Sequence, residues 1–356
     1  MSTEKLQINS KMIEIARISR GLSQVELAEK IGVEQGTLSK LETGLLNPKD
    51  DFIDKLCNVL NYPKSFFAEN ITVLSPLLTH YRKRKSLTNF KLDFIEYNVY
   101  IRKHLIKKLL KSANIPNKLF HVSPDDHDPE DIARLVRQRW NVPRGPIKNL
   151  VALLESVGIV ILQIEQNDEK LDGEMIPDEN NLPVIYINKN LTGDRQRFTL
   201  AHELGHLIMH GGEYIPSVEF AEKEADYFAS EFLMPADEIR YQLNERMSFS
   251  QLGDLKRYWK VSMAALVRRA KDLSIIDQSR YTSLNVQLSK AGFKKKEPEF
   301  DVFPDKPAIF KQLISVHLNA LGYTMDELSN YLSINLNEMR DINDFYSDKI
   351  FKVVRS

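Results

Sequence analysis

The chain has 356 residues, 42% hydrophobic and 28% charged, ordinary for water-soluble globular domains and long enough for two or three of them. Forty-nine basic residues balance forty-nine acidic ones, which excludes nucleic-acid binding through overall charge and leaves only a local patch for that purpose. The single cysteine, Cys57, excludes an intramolecular disulfide framework. A cytoplasmic location is expected, since no apolar run reaches the ~18 residues of a bilayer span and the N-terminus is too charged for a signal peptide.

Residues 6–69 hold short amphipathic stretches broken by Gly21, Gly32, Gly44 and Pro48, the turn density of a small helical domain, with Cys57 in an apolar run that reads as core. Within it, Leu22 to Gly44 spells a helix-turn-helix. Ser23 and Glu26 make a capping box, Leu27, Ala28 and Ile31 face inward, Gly32 turns, and Leu38 and Leu41 bury a second helix. That second helix turns Gln35, Gly36, Thr37, Ser39 and Lys40 outward. Glutamine can bond adenine bidentately, lysine can reach guanine or phosphate, and Gly36 permits close approach to the major groove; Gln24 is placed for a phosphate. The stretch resembles the XRE family of phage-repressor-like domains, which implies a double-stranded DNA operator read by a homodimer. Nine basic against ten acidic residues over 1–70 keep a protein-binding adaptor on the same fold open as the alternative.

From His80 to Lys111, ten Lys and Arg stand against two acids, beginning Arg82-Lys-Arg-Lys85 and entering a helical run from Leu92 to Leu110. The excess either tracks DNA phosphates or forms a solvated helix face joining two domains. His104, His121 and His127 have no ligand partners at close spacing and read as ordinary polar residues. The run Pro124-Asp-Asp-His-Asp-Pro129 marks a boundary.

Beyond it the periodicity predicts a helix over 130–140, a second ending near Gly158, and strands over 159–164, 173–176 and 182–188. The strand segment Val184 to Ile187 is expected either as a sheet edge that binds an extended peptide or as a purely structural strand. Then comes Arg195-Gln-Arg-Phe-Thr-Leu-Ala-His-Glu-Leu-Gly-His-Leu-Ile-Met-His210, with Asp194 a candidate cap and Gly211-Gly212 a stop. His202, Glu203 and His206 spell H-E-x-x-H. On a helix, residues four apart lie about 40° apart around the axis, so both imidazoles point the same way, as Zn²⁺ requires. Glu203, one residue round, can take a proton from water at the metal. The next predicted helix, Phe220 to Leu233 before Pro235, carries Glu222 and Asp226 four apart. Glu222 is assigned as third ligand and Asp226 as the carboxylate that accepts the other ring N–H of a ligating histidine. Glu224 competes as ligand but projects about 200° away from Glu222. His210 reads as supporting structure, and Tyr186, Arg195, Arg197 and Tyr214 are candidates for stabilising an oxyanion.

These residues, from Arg195 to His206 and from Glu222 to Pro235, resemble the ImmA/IrrE family of zinc metallopeptidases. That resemblance spans about residues 125–300. It implies a gluzincin-like site with His202, His206 and Glu222 on zinc, Glu203 as base, and a repressor protein as substrate.

The remainder is helical over 249–259, 262–273 and 277–290, with a basic linker at Lys294-Lys-Lys296. In residues 306–343, Thr324 to Ile334 faintly repeats the helix-turn-helix pattern without a basic face and reads as a packing or partner module. The expected fold class is mostly α and multidomain. It comprises an all-α helix-turn-helix domain (1–70), a basic helical linker (71–124), an α+β gluzincin-like metallopeptidase domain with a small sheet (125–245), and a helical C-terminal region (246–356). The expected function is a DNA-binding transcriptional regulator with zinc-dependent endopeptidase activity on a repressor, another regulatory protein or itself, with no membrane partner. Two alternatives stay open: a regulator that uses the peptidase fold only as a sensor, and an antitoxin-like binding protein.

Overall fold

The computed structural model describes residues 6–71, 89–125, 127–165, 172–176, 182–210, 217–294, 296–298 and 302–346. The basic run Arg82 to Lys85, Gly211, Gly212 and Tyr214 lie outside them. Contacts divide the chain into two units, one of residues 115–307 and one of residues 1–114 with 308–356. The stretch 246–356 is therefore shared between units. Leu252, Trp259, Met263 and Leu266 join the core of the first, and residues from 308 onward pack in the second.

In the N-terminal part, α1 (Ser10–Ser19), α2 (Gln24–Ile31), α3 (Gln35–Glu42) and α4 (Asp50–Leu60) follow from local signals. Asn9 caps α1 by accepting from the Lys11 N–H, and Ser23 and Glu26 form the reciprocal capping box of α2. Gly32 ends α2 at φ 72°, a left-handed conformation that glycine adopts without Cβ strain. Leu27, Leu38, Leu56, Leu60 and Phe67 are fully buried beneath these helices. One buried ion pair ties them together: Arg17 donates to both carboxylate oxygens of Glu42 at 2.6 and 2.9 Å. Cys57, expected in the core, is only half-buried, because α4 turns Ile53, Leu56 and Leu60 inward instead. Helix α5 (Asn89–Leu109) carries much of the basic stretch. It packs on α1, with Ile95, Val99, Ile106 and Leu109 buried.

The other unit starts with α6 (Pro129–Arg139) and α7 (Leu150–Ser156), followed by β1 (Val160–Ile164), β2 (Gly173–Ile176) and β3 (Val184–Asn188). The sheet order is β1-β3-β2. β3 runs parallel to β1 with Val160 opposite Val184, and antiparallel to β2 with Met175 opposite Ile185. The expected edge at Val184 to Ile187 is thus corrected: β3 is the central strand, paired on both sides, and the edges belong to β1 and β2. An unbroken apolar run buried on both faces is what a central strand needs.

Helices α8 (Gly193–Met209) and α9 (Val218–Leu233) pack against each other and α6 packs on α9, while α8 lies against β2 and β3 and α7 against β1. The core runs through Ile132, Val136, Leu154, Ile161, Ile185, Leu200, Leu204, Phe228 and Phe232. Thr192, not Asp194, occupies the cap position of α8. Asp194 is buried instead, ion-paired with Lys256. Burial alone would raise its pKa, but the Lys256 ammonium holds the carboxyl below the usual range. Short α10 (Ala236–Ile239) leads to α11 (Phe249–Trp259), α12 (Met263–Asp272) and α13 (Gln278–Lys290), which complete this unit. Among the described residues, no helix is long and apolar enough to cross a membrane.

The last segment returns to the N-terminal unit with α14 (Ile309–Ser315), a π-turn over Val316–Ala320, α15 (Met325–Leu332) and α16 (Leu336–Tyr346). The faint repeat is here a geometric one. Thr324 and Glu327 form a capping box as Ser23 and Glu26 do, and Ser333 takes the left-handed turn (φ 57°) of Gly32. The Ile334 N–H reaches the Ser329 carbonyl at 3.1 Å just as Val33 reaches Ala28 at 3.0 Å. Its contacts are inward: Glu338 pairs with Arg20 at 2.8 Å, and Ser333 donates to Glu69 at 2.6 Å.

Candidate metal centre and helix-turn-helix face

Helix α8 places His202 and His206 one turn apart, and α9 brings Glu222 across from them. The reason is local packing: Gly205 lets the backbone of α9 come close, since a Cβ there would sit 3.1 Å from Phe228 Cδ1 and 3.2 Å from Ala225 Cα. His202 Nε2 lies 3.4 Å from Glu222 Oε2, His206 Nε2 lies 3.4 Å from Glu222 Oε1, and the two Nε2 atoms are 3.1 Å apart. A tetrahedral zinc site with bonds of ~2.0–2.1 Å has ligand–ligand edges of roughly 3.3–3.4 Å. Each imidazole lies at about that distance from one Glu222 oxygen, and one ligand atom from each of the three residues lies within 4.8 Å of the others, so the three side chains are grouped as ligands of one ion would be. The histidines are largely buried while the Glu222 side chain is 42% exposed, so the site faces solvent on one side.

Behind the ligands, His202 Nδ1 lies 2.8 Å from Asp226 Oδ1. A carboxylate only accepts, so a neutral His202 carries its proton on Nδ1 and turns its Nε2 lone pair toward the site. Glu203 is 3% exposed and takes a 3.0 Å hydrogen bond from the Met175 N–H. Because β2 pairs with β3 through residues to either side of Met175, that N–H belongs to the outer edge of β2, which thus borders Glu203.

Sequence reasoning missed two features. One is the Met175 bond, which needs the sheet order. The other is that His206 Nδ1 lies 2.8 Å from His210 Nδ1, and His210 Nε2 lies 2.9 Å from Glu224 Oε2. Glu224 faces away from Glu222 and meets His210 instead. The available signal was the second four-residue step from His206 to His210. Of the oxyanion candidates, Arg195 clamps Asp172 with bonds of 2.9 and 2.8 Å. Arg197 is buried against Asp305 and the Ile147 carbonyl, and Tyr186 is buried in β3. His104 bonds Glu69 and His121 the Leu207 carbonyl, in keeping with ordinary polar roles.

Residues 154–271, which contain this centre, match the family model of a peptidase group described as IrrE N-terminal-like domain. Residues 13–67 match one described as Helix-turn-helix. An XRE-type helix-turn-helix precedes an IrrE/ImmA-like peptidase segment in this chain. No curated protein matches it. The two matches support a DNA-binding regulator that carries a metallopeptidase-like domain.

In the helix-turn-helix segment, Gln35, Gly36 and Lys40 are exposed and Gln24, Thr37 and Ser39 half-buried along one side. Gln35 Nε2 donates to Gln24 Oε1 at 2.7 Å, and Gln24 Nε2 to Glu42 Oε2 at 2.7 Å. The buried Arg17–Glu42 pair thereby orients two of the candidate DNA-binding side chains. A Cβ on Gly36 would meet nothing within 4 Å, so packing inside the chain does not require glycine there.

Proposed function

We propose that this chain is an operator-binding regulator whose IrrE-like segment hydrolyses a peptide bond of another protein with zinc as cofactor, in control of stress, prophage or mobile-element genes. The observation that carries the reading is the triangle of His202, His206 and Glu222 ligand atoms with Glu203 beside it on the same helix. Zinc held by these three residues supplies a Lewis acid that polarises a carbonyl or a water. Glu203 removes the proton of the attacking water onto its carboxylate and delivers it to the departing amine. Asp226 keeps His202 in the tautomer that can bind metal. The outer edge of β2, next to Glu203, offers main-chain groups along which an extended substrate can lie, the role sought at Val184 to Ile187. A repressor is the substrate class that the IrrE-like segment supports, with self-cleavage a second route to the same switch. In the other unit, Gln35, Gly36, Thr37, Ser39 and Lys40 face the major groove and Gln24 a phosphate. The missing Cβ of Gly36 clears room for a base edge.

The test uses the full chain, its zinc content measured by mass spectrometry, incubated with candidate repressors encoded nearby. Glu203→Gln is expected to keep zinc and operator binding and to lower cleavage by ~10²–10⁴-fold. Cleavage undiminished in that variant, or a purified chain without zinc, overturns the reading. Regulation in cells that is unchanged by Glu203→Gln assigns the segment to sensing instead.

A further inference from the structure

His206 can donate to a metal only through a bare Nε2, which requires its proton to be on Nδ1. That nitrogen has a ring nitrogen beside it, the Nδ1 of His210 at 2.8 Å, a contact that is favourable only if one nitrogen is protonated and the other is not. Glu224 decides which. Its carboxylate, 2.9 Å from His210 Nε2, only accepts, so a neutral His210 carries its proton on Nε2 and is bare at Nδ1. The His206 proton is then fixed on Nδ1 and its Nε2 lone pair is turned toward His202 and Glu222.

We propose that His210 and Glu224 are positioning residues of the metal centre: a chain from Glu224 through His210 that sets the tautomer and ring orientation of His206. The inference rests on the zinc-peptidase reading. His202 is served in one step by Asp226, whose side chain is 61% exposed, whereas His206 is served in two steps by side chains each 10% exposed. The buried chain is screened less by water and salt than the exposed carboxylate, so it holds His206 more firmly. With both imidazoles bare at Nε2, two lone pairs face each other at 3.1 Å beside a carboxylate, an arrangement of like polarity that a cation relieves. The same geometry gives Glu224, rejected as a ligand by its direction on the helix, a role that depends on that direction.

The experiment measures zinc affinity of the full chain by competition with a chromophoric chelator. It also reads the ring-nitrogen protonation of His206 by long-range ¹H–¹⁵N NMR in the metal-free and zinc-loaded states. His210→Phe, which removes the acceptor, is expected to weaken zinc binding ~10–100-fold and to give His206 a mixture of tautomers in the metal-free state. His210→Gln, whose amide oxygen can accept the Nδ1–H, is expected to recover most of that loss. Glu224→Leu, which lets the His210 proton move, is expected to fall between the two. Wild-type protein that takes up no zinc overturns this inference together with the reading beneath it. Zinc uptake by wild type, with unchanged affinity and an unchanged His206 tautomer in His210→Phe and Glu224→Leu, overturns this inference alone. If His210→Phe fails to fold, the Glu224→Leu and His210→Gln signals decide.

Discussion

Gly205→Ala tests how closely the two ligand-bearing helices must approach. Gly205 lies between Glu203 and His206 on α8, and its added Cβ would meet Phe228 Cδ1 at 3.1 Å, Ala225 Cα at 3.2 Å and Phe228 Cβ at 3.3 Å. Comfortable carbon contacts are about 3.5–4.0 Å, so all three are short by a few tenths of an ångström. Phe228 and Ala225 are fully buried, and one of the atoms met is main chain, so a side-chain rotation cannot relieve the overlap. Helix α9 has to retreat, and it carries Glu222 and Asp226. Two effects oppose each other: alanine improves helix propensity by ~1 kcal/mol, while overpacking a filled core costs about 1–3 kcal/mol. The net expectation is a loss of about 0–2 kcal/mol in stability. The effect on metal is larger in proportion, because ligand distances tolerate only ~0.2 Å, and zinc affinity is expected to fall roughly tenfold or more. Chelator competition and thermal unfolding of the metal-free chain measure the two separately. An alanine variant with unchanged zinc affinity and about 1 kcal/mol more stability would refute the argument that Gly205 sets the spacing.

Two further outcomes concern the other unit. Glu42→Ala leaves the Arg17 guanidinium buried without its carboxylate and releases Gln24 and Gln35, so a loss of about 3–5 kcal/mol and weaker operator binding are expected by chemical denaturation and gel shift; joint replacement of Arg17 and Glu42 by apolar residues should restore stability but not operator affinity. Burial would raise the pKa of Glu69, but hydrogen bonds from His104, Lys108 and Ser333 hold it down, from 4.5 to about 2. A depressed carboxyl contributes stability that is present above its unfolded pKa and lost as pH falls through the folded one, so the window lies between about pH 4.5 and 2. The displacement corresponds to ~3 kcal/mol before screening, and about 1–2 kcal/mol for a partly exposed group. Glu69→Gln should flatten the acid limb by that amount in denaturation measured from pH 6 to 2; an identical acid limb would remove Glu69 from the account.

Much was written locally. The four-residue spacing from His202 to His206 sets two imidazoles on one helix face whatever the surroundings, and Ser23, Glu26 and Gly32 define a helix-turn-helix through bonds within a few residues. The return of the last segment to the N-terminal helices was not legible, because it joins residues far apart in sequence, as in the Glu338–Arg20 ion pair and the Ser333–Glu69 bond. Asp194 shows the same limit. At a helix start a cap is the local expectation, yet Lys256, far along the chain, takes the carboxylate into the core.

By itself, then, the sequence determined which side chains share a helix face, since backbone geometry alone turns spacing into direction. The tertiary structure decided what those faces meet: β3 in the middle of its sheet, Met175 beside Glu203, and Glu224 behind His210. The physical reason is that sheet order and helix docking are chosen by burial summed over the whole core, and no short segment carries that sum.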